Sequence, residues 1–105
     1  MYGEQITNVT VPAGATTVAV AFGPGARGRS WSVGQVSVSM PLAPLGAACT
    51  LTKNGAFVTF LIPTGDVAGN GPAMVLNGTE QFVVTWTGVT AGLSGSVMVV
   101  YDDGK

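Results

Sequence analysis

The residues that could carry out chemistry are few in this chain of 105 residues, and they are scattered. Histidine, the commonest general base and metal ligand, does not occur. The carboxylates are Glu4, Asp66, Glu80, Asp102 and Asp103, and only the last two are adjacent. A glycosidase needs two carboxylates held across a cleft by rigid elements, a role for which Asp66 and Glu80 are the candidates. Because each is more simply explained as a solvated turn residue, we predict that the chain is not an enzyme.

Two glycine-rich segments invite comparison with phosphate and metal sites, and neither has the residues that such a site needs. Residues 23–28 lack the Lys-Ser/Thr ending of a phosphate-binding loop and precede a predicted strand rather than a helix. Asp66 and Asn70 could contact Ca²⁺, but this ion takes about six to eight oxygen ligands. We therefore predict no metal and no cofactor, and we interpret the second segment as an Asx-type turn.

Two arginines and a tryptophan, Arg27, Arg29 and Trp31, lie at alternate positions. In one interpretation they form a contact patch, in which the arginines reach a neighbour's carboxylate and the indole is an anchor. In the other interpretation the arginines belong to a solvated loop and Trp31 belongs to the core. Both interpretations stay open at this point. Together with Asp66 and Asn70, these residues are the predicted partner contacts.

The single cysteine, Cys49, lies in an apolar run, and the chain has no histidine to activate it. We predict a small buried hydrophobic side chain rather than a reactive thiol. The absence of a disulfide framework fits assembly in a reducing cytoplasm.

The composition favours a folded domain with an unusually uncharged surface. Hydrophobic residues make up 47% of the chain and charged residues 9%, and there are 16 glycines. The surface of a free monomer is usually about a quarter charged, so a surface of Ser, Thr, Gly and Ala suits packing against neighbouring subunits. The net charge of −1 argues against nucleic-acid binding, which needs clustered Lys and Arg. Prolines and alternating serines within the uncharged stretch 30–52 argue against membrane insertion.

Alternation of apolar and polar residues dominates the chain, and no sustained helical periodicity occurs. This pattern predicts one all-β domain over residues 1–105, an antiparallel β-sandwich or jelly-roll-like fold of about eight short strands. The predicted strands are residues 5–11, 16–22, 31–40, 48–53, 56–62, 73–76, 80–87 and 96–101. Residues 63–72 are predicted to form a loop.

Two local signals add detail to this prediction. The dipeptide Asn54-Gly55 between alternating runs predicts a hairpin with a type I′ turn. The apolar positions change parity between Val33 and Val36, beside Gly34, which predicts a β-bulge or a bend. The alternation also predicts the core residues, which are Val18, Val20, Phe22, Leu51, Val58, Phe60, Phe82, Val84, Trp86, Val97, Val99 and Tyr101.

Five segments carry a resemblance that covers most of the chain. They are VTVPAGA at residues 9–15, LTKNGAFV at 51–58, IPTGD at 62–66, VVTWTG at 83–88 and VVYD at 99–102. This pattern of strands and turns resembles small all-β virion proteins encoded among the structural genes of long-tailed phages that infect actinobacteria. The resemblance implies a virion component without enzymatic activity, a minor tail protein in preference to a capsid decoration protein. It carries over no functional residue.

The resemblance also implies partners and a location. The partners would be other virion proteins and copies of the chain itself, and the location would be the virion, assembled in the bacterial host cytoplasm. The alternative hypothesis is a carbohydrate-binding β-sandwich at a tail tip, in contact with host surface glycans. The aromatic residues whose position could leave them outside for that role are Tyr2, Trp31 and Phe57.

Overall fold

The computed structural model describes residues 2–25, 27–69 and 74–104, and the regular elements within them are all β-strands. The nine strands are β1 (Tyr2–Thr10), β2 (Thr17–Phe22), β3 (Ser30–Ser39), β4 (Ala48–Lys53), β5 (Ala56–Leu61), β6 (Gly65–Ala68), β7 (Val75–Asn77), β8 (Phe82–Thr87) and β9 (Ser94–Asp102). The predicted all-β class is confirmed. Its cause is the alternating pattern, because a period of two directs every second side chain of a strand to one face.

The strands form two antiparallel sheets that enclose one core. The five-stranded sheet has the order β1-β9-β3-β6, and β7 pairs with the same edge of β3 as β6 does. The four-stranded sheet has the order β2-β8-β4-β5. Most paired strands are distant in sequence, and the β4–β5 hairpin is the exception. This arrangement agrees with the predicted β-sandwich.

The core lies between the two sheets and is apolar. Its most deeply buried side chains are Val11, Val36, Met40, Cys49, Leu51, Leu76, Phe82, Val84, Trp86, Val97 and Val99. The indole Nε1–H of Trp86 donates a hydrogen bond to the carbonyl oxygen of Pro63 at 3.1 Å, which satisfies its polar atom. Among the described residues no polar or charged residue is buried. Hydrophobic burial is therefore what holds the sheets together.

Most of the predicted core is confirmed. The predicted residues that are buried are Val20, Phe22, Leu51, Phe82, Val84, Trp86, Val97 and Val99. Three more, Val18, Val58 and Tyr101, are partly buried and pack against that core. The prediction for Phe60 is wrong, because its side chain is 70% exposed.

The hairpin between β4 and β5 explains the error at Phe60. Asn54 and Gly55 have φ angles of 53° and 86°, which agrees with the predicted type I′ turn. The ladder then shifts by one residue: Thr52 lies opposite Phe57, whereas Leu51 lies opposite Thr59. Val58 is therefore the extra residue of a β-bulge, which reverses the inward and outward positions of the rest of β5.

A second bulge lies in β3, where the change of parity predicted one. Val33 lies opposite Tyr101 and Gln35 lies opposite Val100, so Gly34 is the extra residue. The bulge lets both Val33 and Val36 reach the core, where both are buried. The prediction of an irregularity at Gly34 is confirmed.

The predicted loop over residues 63–72 is wrong in part, because β6 lies within it. This short strand pairs with β3 from Val36 to Ser39. The Asp66 carboxylate accepts hydrogen bonds from the backbone N–H groups of Ile62 and Val67, each at 2.7 Å, and so holds the turn from β5 into β6. The strand predicted at residues 73–76 corresponds to β7, and its first residue, Ala73, lies outside the described residues.

Candidate functional site

The strands of the four-stranded sheet all lie within the described residues, and they present no charged side chain on the outer surface of that sheet. Cross-strand pairing places Phe60, Thr50, Thr85 and Ala19 in one row across this sheet. We call this surface the uncharged face, and its outward residues are Thr17, Ala19, Ala21, Ala48, Thr50, Thr52, Phe57, Phe60, Val83, Thr85 and Thr87. Its side chains are small, apolar or hydroxyl-bearing, so the removal of water from this face costs little free energy, because no ionised group has to lose its hydration.

An aromatic pair lies at one edge of the uncharged face. The ring centroids of Phe57 and Phe60 are 4.9 Å apart, and the ring planes are inclined by 59°. The two side chains are 57% and 70% exposed. The bulge at Val58 brings them to the same side, since Phe57 lies opposite Thr52 and Phe60 lies opposite Thr50. Exposed aromatic side chains of this kind are the usual anchors of protein interfaces.

A small apolar cleft adjoins the uncharged face where β5 ends. Leu45 and Ile62, both exposed, line a cleft of about 190 Å³ together with Ala43, Pro44, Ala47, Pro63 and Thr64. Ile62 follows β5 and Ala47 precedes β4, so the cleft extends the apolar surface beyond the strands. The sequence pattern does not predict this cleft, because its two walls, residues 43–47 and 62–64, are distant along the chain.

The two arginines predicted as partner contacts line one shallow cleft. Arg27 and Arg29, both exposed, line a cleft of about 550 Å³ with Gly28, Ser30, Asn77, Gly78 and Thr79. The backbone N–H of Gly78 donates to the carbonyl oxygen of Arg29 at 2.7 Å, which joins the two walls. None of these lining residues is a carboxylate. The cleft can therefore receive an anionic group, such as a neighbour's carboxylate, by charge-assisted hydrogen bonds.

Trp31 does not join the arginines. It is 8% exposed and stacks on Tyr101, with ring centroids 3.9 Å apart. Of the two interpretations of this residue, the core side chain is confirmed and the outward anchor is wrong. The reason is the bulge at Gly34, which turns Trp31 and Val33 to the same inward side as Val36.

The remaining predicted partner contacts are Asp66 and Asn70, and Asp66 does not line the arginine cleft. Asp66 lies opposite Val38, near the end of β3, whereas the arginines precede its first residue, Ser30. The Asp66 carboxylate accepts its hydrogen bonds from the backbone N–H groups of Ile62 and Val67. Asn70 lies outside the described residues.

The groups considered for catalysis are occupied in structural roles. The Glu80 carboxylate accepts a hydrogen bond from the backbone N–H of Asn77 at 2.8 Å and lies 3.9 Å from the Lys53 ammonium group. Burial of the Cys49 thiol, and secondarily the charge of Asp66, raise the pKa of this thiol to about 12. Such a thiol stays protonated at neutral pH and is a poor nucleophile. Over residues 2–25, 27–69 and 74–104, we find no group of three side chains that could ligate a metal ion, and no helix that could cross a membrane.

Unpaired sheet edges are a further possible interaction site. The strands predicted at residues 5–11 and 73–76 correspond to β1 and β7, and both lie at edges of the five-stranded sheet. β1 is the longer of the two, with Glu4 as its single charge and no proline. An edge of this kind offers unpaired backbone groups to another strand.

Comparison with known proteins adds no relative, since no family model, curated protein or solved structure matches the chain. The functional interpretation therefore depends on the surfaces described above and on the resemblance in strand and turn pattern.

Proposed function

We propose that this chain is a structural subunit of a bacteriophage particle without enzymatic activity, a minor tail protein in preference to a capsid decoration protein. The observation that carries the proposal is the uncharged face with Phe57 and Phe60 at its edge. A subunit of a permanent assembly needs such a surface, because interface centres are depleted of charge and rich in aromatic side chains.

The overall charge and the sequence pattern support the same proposal. With a net charge of −1 and 9% charged residues, little electrostatic repulsion keeps copies of the chain apart. The arginine cleft supplies a polar contact in addition to the uncharged face. The preference for the tail over the head rests on the resemblance to virion proteins of long-tailed phages.

Glycan binding has less support. Of the three aromatics considered for a sugar site, Trp31 is buried. Tyr2 and Phe57 are exposed but belong to different sheets, where each points outward, so they cannot form one site. We therefore propose the structural role alone.

The test is to locate the chain in purified particles of the phage that encodes it. Particles are banded in a density gradient, their proteins are quantified by mass spectrometry, and a cryo-EM map is searched for the two-sheet domain. We expect a constant number of copies per particle and density on the tail. A chain that is abundant in the lysate but absent from banded particles would contradict the proposal.

A matched pair of variants tests the role of the uncharged face. A phage that lacks the gene is complemented with Phe60→Asp or with Val67→Asp. Both positions are exposed, but Val67 lies on β6 in the other sheet. We expect Phe60→Asp to lower incorporation at least tenfold and Val67→Asp to leave it near the wild-type level. Equal incorporation of the two variants would exclude the uncharged face as the attachment surface.

A further inference from the structure

The free edge of β1 lacks the features that usually keep an edge strand from pairing with another chain. On its inner side β1 pairs with β9 over nine consecutive positions without a register shift, from Tyr2 opposite Asp102 to Thr10 opposite Ser94. No described strand pairs with its other side. Natural sheets protect such an edge with lysine, proline, a bulge or a very short strand. β1 has none of these, and its one charge is Glu4.

We infer that the chain forms a two-fold symmetric dimer in which β1 pairs antiparallel with β1 of a second copy, with Ile6 of each copy at the symmetry axis. The inference rests on the proposed function, because assembly on a particle is what would bring two copies of the chain together. Strand addition of this kind satisfies the free backbone groups of both edges at once. It joins the two five-stranded sheets into one continuous sheet.

The alternation of β1 restricts the register of this pairing. Tyr2, Glu4, Ile6, Asn8 and Thr10 are exposed and point away from the core. A continuous sheet keeps outward residues opposite outward residues, because paired side chains lie on the same face. With Ile6 at the axis, the outward pairs are Ile6 with Ile6, Glu4 with Asn8, and Tyr2 with Thr10. All of β1 then takes part.

Side-chain chemistry favours this register over its neighbours. Ile6 is 62% exposed in the single chain, and at the axis it is covered by its equivalent in the second copy. Each Glu4 faces an Asn8 amide that can donate to its carboxylate. The two Glu4 carboxylates are about 14 Å apart, four residues along the strand at about 3.4 Å each.

Other registers lose these contacts. A strand centred on Glu4 would place the two carboxylates directly opposite each other, which destabilises a cross-strand pair. Centring on Gln5 would place Glu4 against Ile6, and centring on Thr7 would place Ile6 against Asn8. The pairs Ile6 with Ile6 and Glu4 with Asn8 form only when β1 meets an identical strand. We therefore assign the free edge of β1 to a second copy of the chain.

Cysteine cross-linking tests the register directly. Directly opposite residues of antiparallel strands have Cα atoms about 4.5–5.5 Å apart, within the range of about 4.4–6.8 Å that a disulfide spans. We expect Ile6→Cys to form a covalent dimer under mild oxidation at least tenfold faster than Asn8→Cys. A mixture of Glu4→Cys with Asn8→Cys should form the mixed dimer. The wild-type chain is the background control, because its Cys49 is buried.

Reversible dimerisation is measured by sedimentation of charge variants. Ile6→Lys places like charges at the axis, and we expect it to raise the dimer Kd at least tenfold. Ser39→Lys adds the same charge to the same sheet, on β3, and should leave the Kd unchanged. Circular dichroism confirms that both variants stay folded, since neither residue is buried.

The outcomes separate this inference from the proposed function. A wild-type chain that stays monomeric at high micromolar concentration would overturn the inference, as would equal cross-linking of Ile6→Cys and Asn8→Cys. So would a dimer that Phe60→Asp dissociates and Ile6→Lys does not, because it would use the uncharged face. Each of these results leaves the particle test standing. Conversely, a dimer in the stated register that is absent from particles would contradict the proposed function alone.

Discussion

The indole of Trp31 lies flat against the phenol ring of Tyr101, with 3.9 Å between the ring centroids and 11° between the ring planes. The two residues lie on paired strands, β3 and β9, next to the bulge at Gly34. The stack therefore fills the core beside an interruption of the backbone ladder and stabilises the sheet where hydrogen bonding is irregular.

This stack predicts the stability of two variants. Trp31→Ala should lower the free energy of unfolding by about 3–5 kcal/mol, the usual loss for a buried tryptophan. Tyr101→Phe keeps both rings and should change it by less than about 1.5 kcal/mol. Denaturant unfolding followed by circular dichroism measures both. A Trp31→Ala variant as stable as wild type would show that the indole is not packed in the core.

The exposure of Phe60 predicts a contrast between two phenylalanines. Phe60→Ala should lower the free energy of unfolding by less than about 0.5 kcal/mol, the usual range for surface substitutions. Phe82→Ala, which empties a fully buried site, should lower it by about 3–5 kcal/mol. Equal losses in denaturant unfolding would mean that the bulge at Val58 is absent and that Phe60 points inward.

The turn at Asn54 and Gly55 predicts a position-specific effect. Gly55→Val forces a β-branched residue to a φ near 86° and should cost about 1–3 kcal/mol of stability. Asn54→Gly keeps a residue that tolerates positive φ and should change stability by less than about 1 kcal/mol. Thermal unfolding of the two variants beside wild type is the measurement. If Gly55→Val were the more stable of the two, the turn would not have type I′ geometry in solution.

The pKa of the Cys49 thiol predicts a loss of stability in alkali. Folding raises this pKa from 9.0 to about 12, so above pH 9 the unfolded chain gives up a proton that the folded chain keeps. Stability should therefore be unaffected by this group below pH 9 and should fall by about 1.4 kcal/mol per pH unit as the pH rises from 9 towards 12. Tyrosine and lysine also titrate in that range, so the measured quantity is the difference between wild type and Cys49→Ala. A difference that does not change with pH would mean that the thiol is accessible to water.

The sequence pattern predicts much of the fold because alternation is a local property. Residues within a few positions of one another determine the first and last residues of β4, the turn that follows it and the irregularity at Gly34. The bulge at Val58 does not follow from nearby residues. The sequence of β5 is compatible with a regular strand and with a bulged one, and only its pairing with β4 distinguishes the two. β6 is another such case: it contains Gly65 and Asp66, which favour a turn, and it becomes a strand because β3 offers it a free edge.

The candidate surfaces were less predictable than the fold for the same reason. Low charge in the composition indicates that a protein has an uncharged surface, but not which sheet carries it. That choice depends on which strands become neighbours, and Phe57, Phe60 and Thr50 meet only through pairing. The sequence predicts one wall of the arginine cleft, since Arg27 and Arg29 are close along the chain. It does not predict the second wall, which comes from the turn at Gly78.

The pairing of Tyr2 with Asp102 has a mechanical consequence. These residues lie side by side at the same end of two antiparallel strands, and the pairs from there to Thr10 follow one behind another. A pulling force applied between Tyr2 and Asp102 would load a single pair at a time and open the ladder like a zipper. The same force applied between Tyr2 and Ser94 would load all nine pairs together in shear. The resistance of this domain to tension therefore depends on where it is held, and it is lower when the domain is held at Tyr2 and Asp102 than when it is held at Tyr2 and Ser94.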